Sequence, residues 1–161
     1  VDFDGGDLLL SATFTTQSNP SLVWIGKRDG AGGGGYERLV DVAGAPTYAE
    51  LAMRGATGKW TVYASATLDS TVSYDTSSAH AIRAHLTGGA STTITVDGTS
   101  TTGTAGAASV THLRLGGTEH AAEYANMHTA FAGVFIGDVT GDANWSDFVA
   151  WVSSYYGLTL T

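Results

Sequence analysis

FAGVFIGDVTGDANWSDFVAWVSSYYGL, residues 131–158, carries the one clear helical period in a chain that otherwise reads as strands and turns. Trp145, Phe148, Val149, Val152 and Tyr156 fall at i, i+3, i+4, i+7 and i+11 and make one apolar stripe. Trp151 and Tyr155 lie on its flank, and Ser146, Asp147, Ala150, Ser153 and Ser154 lie opposite. The pattern predicts a single amphipathic helix of about three turns near residues 144–156. Asn144 is expected to cap the free N–H groups of the first turn, with Asp147 reaching back and suiting the positive end of the helix dipole. Gly157 is expected to stop the helix in the left-handed conformation, letting Leu158 fold back on Val152. Just upstream, Phe131, Gly133 and Phe135 alternate with Ala132, Val134 and Ile136, which predicts a strand buried on both faces.

Working outward, the rest of the chain is expected to supply the sheets that meet this helix. Residues 8–15 read as a strand running into the turn cluster Thr16-Gln17-Ser18-Asn19-Pro20, where Asn19 is pushed out of the helical region by the proline after it. Residues 22–25 are an apolar run. The sequence Asp29-Gly30-Ala31-Gly32-Gly33-Gly34-Gly35 has too much backbone freedom for an element interior and is read as a surface loop. A phosphate cradle is the sharper alternative, but no Gly-Lys-Ser/Thr follows it and the next residues are strand-like. Further strands are expected at 36–42, 47–54, 59–65, 79–86, 92–96 and 110–115, with 100–108 a loop or weak edge. Within 79–86, His80 shares its parity with Ile82, Ala84 and Leu86, so it is expected to pack half-buried, while His85 shares a face with Arg83. Asp97-Gly98 is the strongest hairpin signal, because a two-residue turn needs positive φ at both central positions. About ten to twelve strands at this spacing predict an antiparallel β-sandwich with one helix covering an edge or an end.

Composition narrows the function. A chain of 161 residues, 43% hydrophobic and 14% charged, can bury a substantial core, and one domain over residues 1–161 is the simplest organisation. Strand-like sequence at Val1 with no signal peptide gives the expectation that this domain belongs to a longer or processed polypeptide. The formal net charge is −8 with only 7 Lys plus Arg, so no basic surface is on offer for a phosphate backbone or an anionic membrane, and neither is expected as a partner. There are no cysteines, which excludes disulfides and thiolate metal sites. No apolar run approaches the roughly 18 residues needed to span a bilayer.

Several short motifs in order along the whole chain carry a resemblance. Phe3-Asp4-Gly5 with Asp7-Leu8-Leu9, Val96-Asp97-Gly98, Leu113-Arg114-Leu115-Gly116-Gly117 and the strand, turn and helix ending Tyr156-Gly157-Leu158 resemble LamG-like jelly-roll domains of the concanavalin A-like lectin and glucanase superfamily. The Ala, Gly and Thr bias and the phrase TFTTQSNPSLVWIGK look most similar to minor tail protein domains of actinobacteriophages. The resemblance implies an all-β, antiparallel two-sheet jelly roll with one C-terminal amphipathic helix. It also implies surface recognition in a virion, outside the cell, with a host-surface glycan or receptor as partner. Contacts with other virion proteins and display in several copies, as a homo-oligomer, go with that setting, and a purely structural decoration role is the alternative.

Catalysis is not expected from the residues. A glucanase of this superfamily would carry carboxylates alternating along one strand so that nucleophile and acid flank the scissile bond, and no two of Glu37, Glu50, Glu119 and Glu123 do so. No Gly-x-Ser-x-Gly elbow occurs. No metal or cofactor is expected either. Glu119, His120 and Glu123 lack a second histidine motif and read as a solvated loop. Asp138-Val139-Thr140-Gly141-Asp142-Ala143-Asn144 places oxygens at alternate positions as a calcium loop does, but it has Ala143 where such a loop needs glycine and Val149 where it needs a bidentate carboxylate. It is therefore read as turn and cap chemistry. The candidate ligand-binding residues are Tyr36 and Arg38, which follow the glycine-rich loop, and His120, Glu123 and Tyr124, which combine flat apolar faces with polar groups. Trp24, Trp145, Trp151 and Tyr156 sit in apolar patterns and are expected in the core.

Overall fold

Residues 1–4, 9–30, 35–43, 49–117 and 125–161 are described by a computed structural model of the chain. Within them the first strands are β1 (Asp2–Asp4), β2 (Leu9–Leu10), β3 (Gln17–Ser18), β4 (Ser21–Arg28) and β5 (Tyr36–Ala43). Then come β6 (Ala49–Arg54), β7 (Lys59–Tyr63), β8 (Thr67–Ser73), β9 (Ala79–His85) and β10 (Thr92–Val96). The chain ends with β11 (Thr99–Gly103), β12 (Ser109–Val110), β13 (His112–Leu115), β14 (Asn126–Phe135), a 3-10 turn at Val139–Gly141 and helix α1 (Trp145–Tyr156). Two six-stranded antiparallel sheets result. The first has the order β1-β14-β4-β9-β10-β11 and the second β2-β13-β5-β6-β7-β8, while β3 and β12 pair separately. This is the antiparallel jelly-roll sandwich with one C-terminal helix that the sequence led us to expect.

Alternation along the strands divides the apolar side chains between two cores. Leu22, Trp24, Ile82, Ala84, Ile94 and Val96 of the first sheet meet Leu39, Val40, Leu51, Met53, Trp60 and Val62 of the second. Trp24 and Trp60 are both wholly buried, with ring centroids 5.9 Å apart. The Trp24 indole N–H donates to Thr129 Oγ1 at 2.9 Å, which satisfies the one polar atom that burying this ring strands. Gly26 is needed beside it, since a Cβ there would lie 2.2 Å from the His128 carbonyl oxygen and 2.5 Å from the Trp24 ring. The side chains between, Val23, Ile25 and Ala81, point away from the sandwich and form a second core with Val139, Trp145, Val152 and Leu160. Helix α1 therefore lies on the outer face of the first sheet, and Phe131, Phe135, Phe148, Val149 and Tyr156 pack round it.

The local signals behave as their chemistry requires, with a few corrections. Asp97 and Gly98 take φ of 48° and 83°, the positive values of a two-residue hairpin joining β10 to β11. Gly157 closes α1 at φ 68°, its N–H donating to the Ser153 carbonyl at 3.0 Å, and Leu158 packs into the same core as Val152. Asn144, however, makes no side-chain cap bond. The Asp142 carboxylate accepts its backbone N–H at 2.7 Å instead, so the turn chemistry sits two residues earlier than expected. The strand expected over 8–15 is not continuous within its described residues 9–15: β2 is two residues long and both of its leucines are exposed. Residues 67–73, where no strand was expected, form β8, and 99–103 form the edge strand β11 beside it, joined by the Thr71 N–H to Thr101 Oγ1 at 3.0 Å. Trp151, expected in the core, is 43% exposed.

Candidate functional site

The outer face of the second sheet has a different character from the helix-covered face of the first. The register pairs Arg114 with Asp41 and Asp41 with Glu50, and sets Arg38 opposite Ala52 and Tyr36 opposite Arg54. A bulge between Arg38 and Val40 turns both Leu39 and Val40 into the core and returns Asp41 to the outside, three residues after Arg38. Between β6 and β7 Glu50 faces Tyr63, and between β7 and β8 Thr61 faces Asp69. Three guanidinium–carboxylate pairs thus run across one face: Arg114 to Asp41 at 3.3 Å, Arg38 to Glu50 at 2.7 Å and Arg54 to Asp69 at 3.1 Å. Thr61 Oγ1 also donates to Asp69 at 2.6 Å.

Exposure divides this face in two. Side chains of Arg38, Glu50 and Asp41 are only 7%, 3% and 4% exposed, so their charges are largely withdrawn from water. Desolvating such pairs costs about as much as their attraction returns, so an array of them adds little to stability and asks for another explanation. Arg54 and Asp69 remain 31% and 26% exposed, and the Arg54 guanidinium lies 5.8 Å over the half-buried Tyr36 ring. The accessible end of the face is therefore a tyrosine ring, a guanidinium and a carboxylate held in fixed mutual geometry. That combination presents one flat apolar surface with donors and acceptors on its border.

The structure brings Tyr36 and Arg38 to this one face, with Arg38 beneath the surface and Tyr36 at it. His120, Glu123 and Tyr124 lie outside the described residues, as does Glu119. Arg54, Asp69, Asp41, Glu50 and Arg114 were missed in the sequence. The signal for them is cross-strand, since each pair comes from different strands, and only the bulge makes Arg38 and Asp41 neighbours on one side.

Two histidines also gather carboxylates. His80 packs against Trp60 with ring centroids 5.0 Å apart and is buried at 6% exposure, on the packing face its parity gave it but deeper than the half-buried place expected. Its Nδ1 lies 2.6 Å from Asp97 and its Nε2 3.3 Å from Asp75. Burial works against the imidazolium, but the Asp97 hydrogen bond and the charges of Asp97 and Asp75 outweigh it and hold the pKa above its ordinary value. Asp97 Oδ1 also accepts the Ala81 N–H at 2.8 Å, so this cluster pins the hairpin to β9. At one end of the first sheet, His128 lies between Asp2, 3.2 Å from Nδ1, and Asp29 at Nε2. The ligand-type atoms of these three lie within 4.8 Å of one another, all at the surface, and the Lys27 ammonium stands 3.8 Å from Asp29. Asp138, expected as turn chemistry, accepts the Thr140 N–H at 3.0 Å, and that bond, with Thr140 Oγ1 and the charges of His85 and Arg83, lowers its pKa against the opposing effect of burial.

No protein-family model matches the sequence, and no curated protein matches it. Solved structures do match the fold. A Trypanosoma rangeli sialidase in complex with sialic acid covers 72% of this chain with a TM-score of 0.53 at 16% identity, the chain spanning 20% of the sialidase. An alginate lyase of polysaccharide lyase family 7 covers 74% with a TM-score of 0.51 at 12% identity, the chain spanning 62% of the lyase. Such low identities speak to fold, which is the concanavalin A-like jelly roll. They also correct one expectation. The chain was read as no enzyme because no strand carries alternating carboxylates, yet both similar structures are enzymes and the fold is shared by enzymes and non-enzymes alike. The reason is visible on the second sheet, where Asp41 and Glu50 stand side by side from two strands, an assembly that counting along single strands cannot find.

Proposed function

We propose that this domain recognises a cell-surface glycan through the outer face of its second sheet. The observation that carries the reading is the accessible Tyr36–Arg54–Asp69 end of the ion-pair array. Tyr36 offers a ring face to a pyranose, Arg54 and Asp69 border it with donors and acceptors for hydroxyls, and Arg38 and Glu50 hold the floor beneath. Occurrence of the fold in a sialidase that binds sialic acid supports a saccharide ligand. The setting we propose, a phage tail or other virion protein displayed in several copies against a host glycan or receptor, rests on the sequence resemblance. In that setting weak single sites gain by multivalency, so the isolated domain binds weakly.

A second reading is a structural decoration or assembly domain that binds other virion proteins. Exposed Leu9 and Leu10, at 52% and 56%, favour it, since with Leu113 and Leu115 they line an apolar groove at the sheet edge. The experiment that separates the two is a pull-down of the fluorescent domain, monomeric and artificially multimerised, on actinobacterial cell walls before and after glycan stripping. Glycan recognition requires that retention rise with multimerisation, fall on stripping and fall again in Tyr36→Ala with Arg54→Ala. Retention indifferent to all three overturns it and leaves the assembly reading. The same walls and soluble polysaccharides should be assayed for released saccharide, because the fold also serves cleavage.

A further inference from the structure

Trp145, Trp151 and Tyr156 were expected in the core, with Tyr155 on the flank of the helical stripe, and α1 leaves two of its rings outside. Trp145 is 8% exposed, but Trp151 is 43% and Tyr155 71% exposed. Asn144, Phe148, Trp151 and Tyr155 succeed one another at steps of four, three and four, so they line one flank of α1 over about 16 Å. Their rings follow one another along the flank, the first pair tilted and the second stacked. Phe148 and Trp151 have centroids 5.7 Å apart at 31°, and Trp151 and Tyr155 5.9 Å apart at 19°. At the head of this strip opens a cavity of about 270 Å³ lined by Phe135, Val139, Asp142, Asn144, Trp145 and Phe148.

We propose that this flank, from the Asp142–Asn144 pair past Phe148 and Trp151 to Tyr155, is a second carbohydrate site that takes a neutral, linear oligosaccharide. The polar head decides the class of ligand. One oxygen of Asp142 accepts both the backbone and the side-chain N–H of Asn144, at 2.7 and 3.2 Å, and Asn144 does not cap the helix. Asp142 Oδ2 and the Asn144 side-chain oxygen Oδ1 make no bond to the described residues, two acceptors at the mouth of an aromatic cavity. An apolar partner laid over the strip would strip water from both and give nothing back. A pyranose offers hydroxyl donors to these acceptors and a C–H face to the rings. Neutrality follows from charge, because the strip and the last turn of α1 carry no base while Asp142 and Asp147 stand at its head. Linearity follows from the row of rings, which continues well past a cavity sized for one sugar. This site goes beyond the sheet face and stands whether or not that face binds sugar.

The test is titration of the whole domain, followed by tryptophan emission and calorimetry, with maltotetraose, cellotetraose, mannotetraose and N-acetylchitotetraose, and with tetragalacturonate as the charged control. At least one neutral tetrasaccharide should give saturable binding. Trp151→Ala and Asn144→Ala should each weaken it about tenfold, Trp151→Phe should largely keep it, and the binding that Trp151→Ala weakens should still be seen in Tyr36→Ala with Arg54→Ala. Trp151 and Tyr155 are exposed enough for their variants to fold, and circular dichroism checks that they do. Absence of saturable binding to every neutral tetrasaccharide overturns the proposal. So does binding that Trp151→Ala leaves intact, or tetragalacturonate binding as tightly as the best neutral sugar. A wild-type dimer that Trp151→Ala dissociates, with no sugar bound, overturns it in favour of a protein interface. Loss of binding in the Tyr36 and Arg54 variant alone would place the sugar on the sheet and also sink it.

Discussion

The two sheets each turn one face to the shared core and one face away, and they finish the outer face by opposite means. The first sheet covers Val23, Ile25 and Ala81 with an amphipathic helix, so its outer surface is a second apolar core. The second sheet carries Arg38, Asp41, Glu50, Arg54, Asp69 and Arg114 outward and finishes its face with ion pairs. Burying apolar area is worth about 25 cal/mol per Å² whatever the geometry, whereas withdrawn ion pairs add little net stability and hold their worth in position. The helix side therefore gains in stability by burial, and the sheet side commits its charges to fixed positions rather than to stability.

Truncation on the helix side should show the largest effect. Trp145 touches Phe135 and Phe148 by its ring, at centroid distances of 6.2 and 5.3 Å, and the Arg83 guanidinium lies 5.9 Å over it. Trp145→Ala should cost about 4 kcal/mol in urea-induced unfolding; a loss below about 1 kcal/mol would mean that α1 is not held to the sheet as described.

On the sheet side the effect depends on whether one partner or both are removed. Arg38→Met alone should cost about 3 kcal/mol, because it removes the guanidinium that stands 2.7 Å from a Glu50 carboxylate withdrawn from water. Arg38→Met with Glu50→Leu should restore stability to within about 1 kcal/mol of wild type while abolishing wall retention. If the double variant is as unstable as the single, the array is a structural element and the contrast between the faces fails.

Reading the chain residue by residue revealed the helix side and not the sheet side, for a physical reason. A helical stripe, a positive-φ Asp97-Gly98 turn and a Gly157 stop are local and survive being read one segment at a time. The apolar alternation of Leu22 and Trp24 against Val23 and Ile25 is equally local, and it already held both cores of the first sheet. The polar face is not local. Its pairs join β13 to β5, β5 to β6 and β6 to β8, and the Leu39 bulge breaks the parity that would have put Arg38 and Asp41 on opposite sides. Tyr36 and Arg38 were reached by their place after the glycine-rich loop, whereas their partners Arg54 and Glu50 were not. β8 was missed because Thr67-Leu68-Asp69-Ser70-Thr71-Val72-Ser73 is mostly polar, which suits a strand at the rim of a sandwich.

The His80 cluster joins the comparison through pH. Because its folded pKa is raised above the ordinary 6.5, the stability its imidazolium brings is fully present below that ordinary value and is lost as pH rises through the raised one. The midpoint of thermal unfolding should therefore fall across that window in the wild type and not in His80→Gln. At the acid end the signs reverse. Asp75 is opposed by burial, but the Ser78 and Ser77 N–H bonds still lower its pKa, and Asp138 is likewise lowered. Their contributions hold above the ordinary carboxylate value of 3.8 and fade as pH falls through the lowered ones. A pH profile unchanged by His80→Gln would remove the cluster as the source of the alkaline slope.

The smallest expected effect tests how the helix begins. A residue at the Ncap position normally stabilises by accepting an N–H of the first turn, and replacing it by alanine costs about 1 kcal/mol. Asn144 occupies that position with φ −87° and ψ −8°, a helical conformation that turns its side chain away from the N–H groups it would serve. The Asp142 carboxylate accepts the Asn144 N–H at 2.7 Å, and the Asp142 carbonyl accepts the Trp145 N–H at 3.1 Å, so the turn is fixed two residues earlier. Asp142→Ala should therefore cost about 1 kcal/mol, while Asn144→Ala should change stability by no more than about 0.5 kcal/mol. Chemical denaturation of the two variants side by side decides the matter. A larger loss for Asn144→Ala than for Asp142→Ala would show that Asn144 caps the helix in solution, and would take away one of the two acceptors at the head of the aromatic strip.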